Sequence, residues 1–222
     1  MKKWLIPVII ILVLGFIGYK MTAGVNNTAV ELEENVKASW ANVESAYQRR
    51  TDLIPNLVNT VKGAADFEKS TLTDVIEARA KATSVNINAD NLDSASLQKF
   101  QEAQSGLSSA LSKLMVSVER YPQLTATQNF RNLQSQLEGT ENRINVERNR
   151  FNDNVREYNT YIRKFPNNIF AGMFGFERMT PFEAQAGAER RGALRRRIQS
   201  VRTVVVILVL ESRNSQIFLS NS

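Results

Sequence analysis

Residues 130–165 read FRNLQSQLEGTENRINVERNRFNDNVREYNTYIRKF, and within them Phe130, Leu137, Ile144, Phe151, Tyr158 and Phe165 recur at an unbroken seven-residue interval. Leu133, Val155 and Ile162 supply the intermediate positions of the same seam. A seven-residue apolar repeat keeps one stripe of a helix turned toward partner helices, so the stretch predicts a long packed helix. With a cap at Thr125 or Thr127 and a stop at Phe165-Pro166, it would be about 60 Å long.

The segment 26–64 predicts a partner of similar length. Val36, Val43, Leu57 and Ala64 hold one seven-residue register, interrupted by Arg50, and Trp40, Tyr47, Ile54 and Val61 hold a second beside it. Pro55 lies inside this pattern, and because the register continues past it the proline reads as a kink rather than an end. A shorter helix follows from a Ser70 cap to about Thr83, with Leu72, Val75, Ile76 and Arg79 on it. Residues 85–93, VNINADNLD, form a loop. Ser94 or Ser96 opens a third helix faced by Leu97, Phe100, Leu107, Leu111, Leu114 and Val118, which Tyr121-Pro122 ends. Residues 169–189 read as extended, with exposed aromatics. The expected fold is all-α: an antiparallel bundle of three to four long helices.

The bundle stands behind an apolar leader. Met1-Lys2-Lys3 precedes WLIPVIIILVLGFIGY, residues 4–19, which carry no charge. A cleaved secretory signal would have this basic start and short core, with a small-residue site such as Thr22-Ala23-Gly24. An uncleaved anchor over 4–21 would place an aromatic at each interface, here Trp4 and Tyr19. No A-x-A pattern stands at the exit, which favours the anchor. Sixteen helical residues span about 24 Å against a hydrocarbon core of about 30 Å, so Lys3 and Lys20 must snorkel or the bilayer thin. Lys2 and Lys3 against Glu31, Glu33 and Glu34 favour an N-terminus inside and a domain outside.

The chain has 222 residues, no Cys and no His. Disulfides, Cys/His zinc sites and every imidazole-based triad are excluded. Its net charge of +6 belongs to the tail. Residues 190–222 hold seven Arg (Arg190, Arg191, Arg195, Arg196, Arg197, Arg202 and Arg213) and one acid, Glu211; subtracting these from 28 basic and 22 acidic residues leaves 21 of each in 1–189. A balanced body argues against a nucleic-acid face. The tail, with its β-prone run TVVVILVL at 203–210, reads as an appendage or as sequence foreign to the domain.

Two groups of residues are candidate interaction sites. Arg49, Arg50, Asp52 and Asn56 cluster at Pro55, and Arg50 sits in the seam, where it requires a carboxylate from a facing helix: Glu141, Glu147 or Asp153. Phe170, Phe174 and Phe176, with Met173, Met179 and Phe182, either fold over one end of the bundle or form an apolar patch. Asn145, Asn152 and Asn159 each follow a seam residue by one position; cross-helix hydrogen bonds that fix register explain them better than a ligand groove. No carboxylate pair, phosphate loop or nucleophile–base pair is present, so no catalytic, cofactor or metal site is expected.

Trp40 with YQRRTDLIPNLVNTVKG (47–63), VIEARAKA (75–82), ENRINVERNRFNDNVREYNTYIRKFP (141–166) and GFERMTPFEA (175–184) together resemble the LemA family of bacterial membrane-anchored proteins. The resemblance covers roughly 4–189, the domain proper being 24–189, and the tail departs from it. It implies an antiparallel helical bundle tethered to a bacterial membrane by one N-terminal helix, with no enzyme activity and no cofactor. The expected role is a scaffold or adaptor for an envelope protein; a lipid-interacting envelope-stress protein, touching the bilayer through 169–182, is the alternative. Neither nucleic acid nor a small-molecule substrate is an expected partner.

Overall fold

A computed structural model describes residues 4–63, 67–87, 89 and 92–183. The predicted tail 190–222 and Ala64 of the first register lie outside the described residues. The chain divides into two compact units at Phe182/Glu183, and the bundle is the first of them.

Six helices and no strand are found among the described residues: α1 (Leu5–Lys62), α2 (Lys69–Ser84), α3 (Ser94–Val118), α4 (Pro122–Thr125), α5 (Gln128–Arg163) and α6 (Asn167–Phe174). The long helices pack as an antiparallel bundle, α1 chiefly on α5 and α2 on α3. Residue pairing shows the sense of α1 and α5: Asn35 meets Asn154, and Arg50 meets Glu141.

The two seams are core. Phe130, Leu137, Ile144, Phe151, Val155, Tyr158 and Ile162 of α5 are buried, as are Val36, Trp40, Val43, Tyr47, Ile54, Leu57 and Val61 of α1. Thr127 caps α5, its hydroxyl accepting from the Phe130 N–H. The repeat breaks at its last member. α5 ends at Arg163, Lys164 turns extended, and Phe165 is thrown clear of the seam to 81% exposure.

Other expectations are corrected. The apolar leader and the first bundle helix are one 58-residue helix, about 87 Å long, which runs through Gly24 with no proline between Met21 and Asn26 to break it. Ser70 does not cap α2, which begins at Lys69; its hydroxyl bonds Glu68 instead, and Ile76 faces out. α3 opens at Ser94 as expected, and Asp93 before it is the cap, accepting from the Ser96 N–H at 2.7 Å and from its hydroxyl at 2.9 Å. Those bonds hold the Asp93 carboxyl below its usual pKa. Residues 167–174 are helical rather than extended, ending at Gly175, whose φ of 75° is the left-handed C-cap that favours glycine. From Phe176 to Glu183 the chain has no regular secondary structure.

Two apolar clusters fill the bundle. One gathers Trp40, Phe100, Phe151, Tyr158 and Phe182 with Ala29 and Ala171; the other gathers Ile54, Leu57, Leu107, Leu114, Phe130 and Leu137.

Candidate functional site

Between the two clusters sits Arg50, and it is buried. Its Nη1 donates to the Ser108 hydroxyl at 2.9 Å and to Glu141 Oε2 at 3.1 Å; its Nη2 donates to the Gln104 side-chain oxygen at 2.6 Å and its backbone carbonyl at 3.3 Å. Gln104 in turn donates to the Ala82 carbonyl, at 3.5 Å. One guanidinium thereby ties α1 to α3 and α5, and through Gln104 to α2. The fork of donors suits this role, whereas a lysine would offer a single point. Of the three predicted carboxylates Glu141 is the partner; Glu147 pairs with Arg143 and Arg150, and Asp153 with Arg156, within α5.

The rest of the Pro55 cluster does not join Arg50. Arg49, Asp52 and Asn56 are exposed, Asp52 accepting from Gln48 one turn away. The proline has a different consequence. It has no N–H for the Thr51 carbonyl, four residues earlier, and that oxygen accepts from Arg79 Nε of α2 at 3.1 Å. Arg79 thus compensates the interruption in α1.

A second arrangement lies on α5. Asn152 Nδ2 donates to the Phe182 carbonyl at 3.2 Å while its Oδ1 accepts from the Phe182 N–H at 2.8 Å. Asn159 holds Met179 in the same way, at 2.8 and 3.0 Å. Seven helical residues rise about 10.5 Å and three residues of extended chain span about 10 Å, so the two asparagines match grips three residues apart on a chain running back along α5. Asn145, the third of the series, bonds its own helix, to the Glu141 carbonyl. Asn152 and Asn159 therefore bind the strap 176–182 rather than a facing helix, which corrects the register reading for these two.

The strap inserts Phe182 into the core. Its ring stacks on Trp40 at 5.8 Å, where Phe100 and Phe151 also meet the indole edge-on, and Arg148 lies over its outer face at 4.7 Å. A cleft of about 840 Å³ opens between strap and helix, lined by Asn149, Asn152, Arg156, Asn159, Arg163 and Arg178 among others. It is open to solvent rather than enclosed. Of the predicted aromatics, Phe176 packs on the core edge, Phe170 is half-buried, and Phe174 is exposed. The sequence carried a signal for the strap in Asn152 and Asn159, two of the three asparagines in register, but none for which element they hold.

Among the described residues no three His, Cys, Asp or Glu side chains converge on a metal-sized site. The buried phenols belong to packing: loss of hydration raises the pKa of Tyr47, and takes that of Tyr158 to about 12, with Glu33 and Glu177 adding to the effect.

The chain is thus an all-α bundle whose first helix continues into a segment long and apolar enough to cross a membrane. It belongs to the LemA family, whose model matches residues 39–194, five residues into the Arg-rich stretch. It is also 26% identical over 181 residues to Magnetosome protein MamQ 1 and MamQ 2 of Paramagnetospirillum magneticum, covering 73% of this chain. It is 28% identical over 180 residues to Magnetosome protein MamQ of Magnetospirillum gryphiswaldense, covering 72%. The match spans 66% of the length of each of these relatives. Neither the family nor these relatives carry the name of an enzyme.

Proposed function

We propose that the protein is a non-enzymatic, membrane-tethered bundle that acts as a scaffold or adaptor for an envelope protein, with its N-terminus inside and the bundle outside the membrane. The observation that carries this reading is the continuity of α1, a single helix from Leu5 to Lys62. The part of that helix from Met21 onward extends about 62 Å, so whatever binds the flank of α1 and α5 is held at a set height above the bilayer. The polar layer at Arg50 and the strap on α5 fix the helices against one another, which suits a docking surface that must keep its shape.

In-cell crosslinking of the full chain followed by mass spectrometry tests the reading. The expected result is one envelope protein joined repeatedly to a single face of α1 and α5. Crosslinks confined to the protein itself and to lipid overturn it.

A further inference from the structure

The face that α6 turns away from the bundle is apolar. Ala171 is buried in the cluster that includes Ala29 of α1. At about 100° per residue, Ile169 and Met173 lie on the opposite side of so short a helix. They are 54% and 74% exposed, and Phe165 and Phe174 beside them are 81% and 44% exposed. A helix that meets only water would place polar residues there. Among residues 169–174, IFAGMF, none is polar.

The position of this patch identifies what covers it. α1 and α5 are antiparallel, so the C-terminal end of α5, with α6 after it, lies at the end of the bundle from which the apolar segment of α1 leaves. Lys164 lines a cleft with Thr28, and α6 packs on both α1 and α5. Among the described side chains of α1 the first buried one is Val25, six residues beyond Tyr19, a rise of about 9 Å. The polar zone on each side of the hydrocarbon is about 6 Å deep, so the bundle begins about 3 Å beyond that zone. Two features draw it further in. The apolar run falls about 6 Å short of a hydrocarbon core, and shortening that deficit pulls Met21–Gly24 toward the lipid. From Trp4 to Val30 the one charged residue is Lys20, which snorkels, so no other charge opposes the movement. Exposed Arg163 and Lys164 flank the patch with the charge that anionic headgroups attract.

We infer that α6 is an interfacial foot: Phe165, Ile169, Met173 and Phe174 rest in the headgroup region of the bilayer that α1 crosses. The inference rests on the membrane-tethered part of the proposed function and is independent of any adaptor partner. A second attachment beside the anchor restricts the tilt of the bundle, which one helix alone does not. Of the aromatic segment it is this part that meets lipid; Phe182 is core and Phe176 and Met179 pack against it.

The absence of cysteine allows single labels in the full chain. Met173→Cys, Tyr19→Cys and Ser135→Cys, each carrying an environment-sensitive fluorophore, are reconstituted in phosphatidylethanolamine–phosphatidylglycerol vesicles with headgroup-attached nitroxide quencher. Helicity by circular dichroism verifies folding of each. The expected result is quenching at position 173 that approaches position 19 and exceeds position 135 several-fold. Quenching at 173 no greater than at 135, with 19 strongly quenched, overturns the foot and leaves the anchor standing. Lack of quenching at all three overturns the anchor and the foot together. A label at 173 shielded from water but unquenched by lipid, with disulfide formation between unlabelled Met173→Cys copies, assigns the patch to a second copy and overturns the inference.

Discussion

Arg79 donates from Nε to the Thr51 carbonyl at 3.1 Å, the oxygen that loses its helical donor to Pro55. Two helices share one defect and its remedy. Arg79→Leu should therefore destabilise the protein by about 1–3 kcal/mol, the range for a buried polar group left unpaired. The same change in a Pro55→Ala background, where an N–H is restored, should cost clearly less. Denaturant unfolding of the four proteins in the cycle measures the difference; equal costs in both backgrounds would show that the carbonyl is not the reason for Arg79.

The strap is held by Asn152 and Asn159 and plugged by Phe182. Asn152→Ala removes both bonds to the Phe182 peptide and should cost about 1–3 kcal/mol. Amide exchange at Met179 and Phe182 should accelerate well before exchange in α3, since only the strap is released. Uniform acceleration throughout the bundle would contradict this.

Ile144 and Leu137 are seam residues, one in each apolar cluster. Ile144→Asp or Leu137→Asp buries an unpaired carboxylate and should cost more than about 4 kcal/mol, enough to unfold a marginal domain. Unchanged helicity and melting temperature would remove these residues from the core.

Burial holds the Tyr158 phenol neutral up to about 12, against 10.0 for an ordinary tyrosine. The folded state thus keeps a proton that the unfolded state releases. The resulting stability is complete below pH 10, declines as pH rises through that interval, and is gone above about 12. Tyr158→Phe should flatten this alkaline decline in melting temperature; an unchanged profile would assign the decline to other groups.

Much of this architecture was legible in the sequence because burial imposes period on long helices. The seams of α1 and α5 were readable residue by residue, as was the need of Arg50 for a carboxylate on α5. Shorter-range features were not. Phe165 keeps the seven-residue spacing but follows the helix terminus, and spacing does not report where a backbone turns. The join between Tyr19 and Asn26 changes composition and holds Gly24 but no proline, so a shift from apolar to polar resembled a boundary that the helix runs through. Asn152 and Asn159 signalled a polar partner at helical intervals; that an extended chain meets the same interval is visible only once the strap is seen. Arg49, Asp52 and Asn56 are near Arg50 in sequence, but the helix turns them outward.

The central claim is that one unbroken helix carries the bundle from the membrane. Pulsed electron spin resonance between nitroxides at Tyr19→Cys and Glu44→Cys, in the reconstituted full chain, tests it directly. Their separation of 25 residues predicts a single narrow distance distribution centred near about 38 Å. A broad or markedly shorter distribution would place a hinge between anchor and bundle, and would contradict a scaffold held at fixed height.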